Sequence, residues 1–134
     1  MQVRKLEHIG IAVDNLKEAV AAYEALGLRL SLTEEIPKEG VRVAMFPVGK
    51  TRIELLEPTS ADSTIAKFLQ KRGEGIHHLA FEVDDLEGAC EELRSAGLRL
   101  VYEASKSGEG GSKVNFIHPS STKGVLIELR EASG

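Results

Sequence analysis

Near the start of the chain, apolar and polar positions alternate with a period of two. Ile9, Ile11 and Val13 fall on one side, and His8, Gly10 and Ala12 on the other. This predicts a strand with one apolar face. Asn15, followed three residues later by Glu18, is a capping-box signal. Leu16, Val20, Tyr23 and Leu26 then recur at helical spacing, and Gly27 stands where a left-handed C-cap would be. Strands are predicted over 28–33, 41–47 and 51–56, with turns at Gly40 and at Gly49-Lys50.

The second half replays the pattern. A strand is predicted over 77–83, and Asp84 with Glu87 is expected to cap a helix carrying Leu86, Ala89, Cys90 and Leu93 that ends at Gly97. Strands are predicted over 98–103, 113–117 and 125–130. Between the halves, Ile65, Phe68 and Leu69 are spaced for a linking helix over 62–71, stopped by Gly73. The glycine-rich stretch 105–112 reads as a loop, either a lid or a long turn. Each half is therefore β-α-β-β-β.

The two halves also match residue for residue. LEHIGIAVDNL at 6–16 lies over IHHLAFEVDDL at 76–86, at an offset of 70 that sets His8 against His78 and Leu16 against Leu86. ALGLRL at 25–30 matches SAGLRL at 95–100 at the same offset. Ile53-Glu54-Leu55 matches Ile127-Glu128-Leu129 at an offset of 74. One supersecondary unit has been used twice, with a histidine early and a glutamate late in each copy.

At 134 residues the chain is long enough for one domain with a real core. The duplication therefore divides a single domain, residues 1–134, into module 1 (about 4–58), a linking helix (about 62–72) and module 2 (about 74–131). A hydrophobic content of 42% excludes a disordered chain. No apolar stretch is long enough to span a bilayer, and the opening MQVRKLEH has no signal core, so a cytoplasmic domain is expected. A net charge of −4 argues against nucleic acid as a partner. Cys90 is the only cysteine, which excludes an internal disulfide and a cysteine-zinc cluster; its apolar helical neighbours mark it as a core residue.

Strand parity places the candidate chemistry. If the helices cover Ile9, Ile11 and Val13, then His8 points the other way; the same reasoning applies to Glu54 between Ile53 and Leu55, to His78 beside Leu79, and to Glu128 between Ile127 and Leu129. All four fall on the face opposite the module helices, where Gly10, Ala12 and Ala80 leave room. Two imidazoles and two carboxylates make a candidate divalent-metal site suited to Zn, Co, Ni, Fe or Mn. Four protein ligands on an octahedral ion would leave two positions for a bidentate substrate. His77 shares parity with Leu79 and Phe81 and is expected to be structural; His118, before a proline, is expected in a turn.

With these segments in hand, the chain resembles the vicinal oxygen chelate (glyoxalase/bleomycin resistance/dioxygenase) superfamily, and within it the methylmalonyl-CoA epimerase family. The likeness is carried by HIGIAVDNL at the start, ELLEP at 54–58, DSTIAKFL at 62–69, GIHHLAFEV at 75–83 and NFIHPSSTKGVLIEL at 115–129. The resemblance implies an α+β fold in which two tandem βαβββ modules form one cupped mixed sheet around a metal, with helices outside. It implies an isomerase of propionate metabolism that interconverts (2R)- and (2S)-methylmalonyl-CoA by proton abstraction at C2 through a metal-stabilised enolate. His8, His78 and Glu128 would be metal ligands, with Glu54 a fourth. Glu128 and Glu54 are the candidate catalytic groups. The implied cofactor is a divalent metal ion, cobalt first, with Mn, Zn, Ni or Mg as alternatives. The implied partners are a small-molecule acyl-CoA and a second copy of the chain in a homodimer, with no nucleic acid and no membrane.

Lys67, Lys71, Arg72, Lys106, Lys113 and Lys123 are available for the CoA phosphates. One departure stands out: where some epimerases carry a catalytic glutamate in a Gly-Val-x-Glu segment, this chain has Gly40-Val41-Arg42-Val43. Another metal-dependent, glyoxalase-like isomerase or lyase is the alternative function. A metal-free binding protein of the same fold is a further one.

Overall fold

The computed structural model describes residues 1–108 and 111–132. Its elements are β1 (Val3–Ala12), α1 (Leu16–Ala25), β2 (Leu32–Ile36), β3 (Val41–Val48), β4 (Thr51–Pro58), α2 (Thr64–Arg72), β5 (Gly75–Val83), α3 (Leu86–Ser95), β6 (Lys106–Ser107), β7 (Lys113–Ile117) and β8 (Leu126–Glu131). The strands form a mixed sheet in the order β2-β3-β4-β1-β5-β8-β7-β6. Two compact units are distinguished: His8–His77, and residues 1–7 together with the chain from His78 onward. Strand β1 contributes to both. No helix among the described residues is long and apolar enough to cross a membrane.

In the His8–His77 unit, β4 runs parallel to β1 and antiparallel to β3. Helix α1 starts at Asn15, whose side chain accepts from the Glu18 N–H, and ends before Gly27 at φ 94°. Its apolar side packs with Val13, Leu16, Ala44, Phe46 and Leu55, and Tyr23 lies against Phe46 with ring centroids 6.0 Å apart. Linking helix α2 packs on the other face, where Ile65, Phe68 and Leu69 meet Ala12, Val41, Val43 and Leu56. Register places Ala12 beside Leu56 and Leu56 beside Val43, so α2 covers one end of the same face that carries His8 and Glu54. Strand parity, counted against the module helices alone, does not place α2 there.

In the second unit, β8 runs parallel to β5 and antiparallel to β7. Helix α3 buries Leu86, Ala89 and Cys90 against Val83, Ile117 and Leu129. Full burial of a side chain such as Leu86 contributes about 1.5–3 kcal/mol. The duplication extends to a helix latch: the Glu57 carboxylate accepts from the Leu16 N–H at 2.8 Å, and Glu131 accepts from the matching Leu86 N–H at 3.2 Å. Each module thus places a strand-end carboxylate at the positive N-terminus of its own helix.

Three local expectations are corrected. The α3 cap is Asp85, which accepts from the Gly88 N–H, while Asp84 accepts from the Asp85 N–H. Strand β2 begins at Leu32 rather than 28, because Leu28 tucks into the core under α1; β2 itself is almost wholly exposed, so no alternation marks it. The strand expected over 98–103 is reduced to a bridge between Leu100 and Ile117. Buried Asn115 explains this: its amide accepts from the Tyr102 N–H and donates to the Tyr102 carbonyl, both at 3.1 Å, replacing ladder bonds with side-chain bonds. Within the glycine-rich stretch 105–112, Lys106–Ser107 pairs with β7, and residues 109 and 110 lie outside the described residues.

Asn115→Ala should cost about 1–3 kcal/mol, since it leaves the Tyr102 N–H without its partner and removes one of the two donors to the Tyr102 carbonyl. Urea unfolding of the two proteins measures the difference.

Candidate metal centre and active site

Each module presents one histidine and one glutamate on the same face of its strands, and all four residues are buried. In the first, β1 supplies His8 and β4 supplies Glu54. Gly10 stands directly beside Glu54 in the parallel register and puts no side chain next to the carboxylate. His8 Nδ1 lies 3.7 Å from Glu54 Oε2. In the second, β5 supplies His78 and β8 supplies Glu128, with the small Ala80 beside Glu128. His78 Nε2 lies 3.7 Å from Glu128 Oε1.

A separation of 3.7 Å is too long for a hydrogen bond. It falls within the roughly 3–4 Å expected between two ligand atoms that share an ion at about 2.1 Å each. The His78–Glu128 pair fits a metal on this ground, and imidazole with carboxylate is a suitable donor set; at Glu54 the oxygen that faces His8 is the one Arg52 also holds. His8, His78 and Glu128 supply donors that could hold a metal ion.

Two arginines that no sequence pattern singled out hold the carboxylates. Arg52 directs Nε and a terminal guanidinium nitrogen at Glu54 Oε2, at 2.9 and 2.8 Å. Arg130 Nε donates to Glu128 Oε2 at 2.6 Å, which leaves Oε1 turned toward His78. Buried carboxylates need such partners, because an unpaired ion loses its hydration without replacement. The signal was present: two residues along a strand share a face, so an arginine at that spacing from a buried glutamate is its natural partner. The duplication is broken here, since Arg52 precedes its glutamate and Arg130 follows its own.

The remaining candidates are dispersed. His77 sets its ring edge-on against Phe68, with centroids 5.1 Å apart, and burial pushes its pKa below the ordinary histidine range. His118 caps the turn Pro119–Ser121 and accepts from the Ser120 N–H, as expected of a turn residue. Cys90 is a core residue. Val43 is buried among Ala12, Leu56 and Ile65. Of the basic residues, Lys106 lies over the Tyr102 ring at 4.3 Å and Arg72 over Phe68 at 6.0 Å. An open groove beside α3 is lined by Asp84, Asp85, Glu91 and Glu92 and holds none of the His–Glu pairs; its carboxylates would repel an anionic acyl-CoA.

The Glyoxalase/Bleomycin resistance protein/Dioxygenase superfamily model matches residues 7–116. The chain belongs to this superfamily. Within it, the chain is 38% identical to the ethylmalonyl-CoA/methylmalonyl-CoA epimerase of Cereibacter sphaeroides, covering 96% of this chain and 98% of that one. The methylmalonyl-CoA epimerase of Mycobacterium tuberculosis is similar in structure, with a TM-score of 0.87 and 45% identity over 98% of this chain and 90% of that one. The methylmalonyl-CoA epimerase of Streptomyces coelicolor, in complex with 2-nitronate-propionyl-CoA, has a TM-score of 0.87 and 36% identity, covering 99% of this chain and all of that one. The superfamily fold thus accounts for the α+β architecture.

Arg130→Met should destabilise the protein by about 1–3 kcal/mol, by leaving a buried carboxylate short of a donor. Adding Glu128→Gln should recover part of that loss. A double-mutant cycle by urea unfolding in chelator measures the coupling; additive costs would mean that the pair does not interact.

Proposed function

We propose that the chain is a metal-dependent epimerase that interconverts (2R)- and (2S)-methylmalonyl-CoA, with residues 1–134 acting as one catalytic domain. The observation that carries this reading is the buried His–Glu pair found in both modules of a chain that is similar over nearly its whole length to epimerases. His8, Glu54, His78 and Glu128 are the proposed ligands of a single divalent ion.

The C2 proton of the substrate lies between a thioester and a carboxylate, so its removal gives an enolate. A bound divalent ion supplies Lewis acidity toward the enolate oxygens. The protein's own groups have three tasks. His8 and His78 supply neutral nitrogen donors. Arg52 and Arg130 fix the orientation of the two carboxylates. Glu54 and Glu128 are the proposed proton carriers, removing the C2 proton on one side and returning one on the other. The burial of Val43 in an apolar cluster supports assigning the proton transfers to these two glutamates, since a valine carries no proton. Cobalt as the ion, a cytoplasmic homodimer and a place in propionate metabolism follow from the family likeness and complete the proposal.

The test is to supply (2S)-methylmalonyl-CoA with Co2+ or Mn2+ in D2O and follow C2 by NMR. The expected result is loss of optical purity with deuterium incorporation. Glu54→Gln and Glu128→Gln should each slow exchange by 100-fold or more. Normal exchange in both variants would remove these residues from the proton-transfer role.

A further inference from the structure

The two glutamates differ in what stands next to them. In the antiparallel pairing of β7 with β8, the residue directly opposite Glu128 is Phe116. In the matching pairing of β3 with β4, the residue opposite Glu54 is Met45. Opposite residues share a face, with Cβ atoms about 5 Å apart. A repeated position therefore holds a rigid ring in one copy and a flexible thioether in the other.

Phe116 is not a core residue. Its neighbours in β7, Asn115 and Ile117, are buried on the side of α3, whereas Phe116 is only partly buried on the side of Glu128. Its ring is braced by Tyr102, edge-on at 5.8 Å with an interplanar angle of 83°, and Lys106 lies over the Tyr102 ring at 4.3 Å. The brace is itself anchored. Asn115 holds both backbone groups of Tyr102, and Arg94 donates to the Tyr102 and Glu103 carbonyls at 2.9 and 2.7 Å. Where the strand over 98–103 is interrupted, the chain leaves the ladder and sets an aromatic ring edge-on against Phe116.

We propose that Phe116, braced by Tyr102, is the wall that limits the size of the C2 substituent on the acyl group. The inference rests on the epimerase reading, in which the acyl head binds at Glu128. A ring fixed beside that carboxylate is a wall against which a longer branch would press. Discrimination of this kind, one methylene in an apolar pocket, spans about 10- to 200-fold.

The experiment compares kcat/KM for methylmalonyl-CoA with that for ethylmalonyl-CoA, which adds one methylene at the branch. Phe116→Ala and Phe116→Leu should raise the ethyl-to-methyl ratio about tenfold or more. Tyr102→Ala should raise it by less. Tyr102→Phe should leave it unchanged, because the contact is made by the ring and not the hydroxyl. Met45→Ala is the comparison on the other module and should change the ratio by less than about threefold. Thermal unfolding shows which variants fold; if Phe116→Ala does not, Phe116→Leu and Tyr102→Ala decide the matter. An unchanged ratio in those variants, or a larger change from Met45→Ala, overturns the wall. A wild-type protein that does not racemise methylmalonyl-CoA overturns the epimerase reading instead.

Discussion

A carboxylate buried on the face of a sheet must be given back the partners it had in water, and much of this structure is arranged around that requirement. Glu54 and Glu128 are both buried, and each is met by an arginine two residues away on its own strand and by a histidine on the adjacent strand. The small residues Gly10 and Ala80 stand beside the two carboxylates. Helices α1 and α3 take up the apolar positions on the opposite side of their strands. The same strand alternation that builds each core leaves a histidine and a glutamate together in each module, so fold and chemistry come from one pattern.

Alternation and duplication are also why so much was readable from the chain. His8, Glu54, His78 and Glu128 stand between apolar residues in strands, and period-two geometry fixes their side without reference to anything distant. The helix over 16–25 announces itself through Asn15 and Gly27. What escaped has physical causes. Arg52 and Arg130 look like ordinary charged strand residues until burial of their partners is known. Strand β2 is exposed and carries no alternation. The residues around 98–103 have strand-like composition, but Asn115 takes up the backbone groups that a continuous ladder would need. The position of α2 depends on how Ile65, Phe68 and Leu69 meet residues brought together only by folding.

The repeat is most informative where its copies diverge. The latch of Glu57 on Leu16 and of Glu131 on Leu86 is retained, as an element needed to seat either helix. At the glutamates the copies part: the arginine lies before one and after the other, and Met45 faces one where Phe116 faces the other. Ala44 in one β-pair is replaced by Asn115 in the other, and with that exchange comes the rearrangement that brings Tyr102 behind Phe116. On the proposed reading, the duplicated scaffold would supply the ligands, and the differences between copies the asymmetry that a chiral substrate requires.

The central claim is that the two His–Glu pairs serve a single ion. Counting divalent ions bound per chain, by equilibrium titration of the metal-free protein with Mn2+, tests it directly. The account predicts one ion per chain, lost when either His8 or His78 is replaced by alanine. Two ions per chain, with each substitution removing only one, would contradict it.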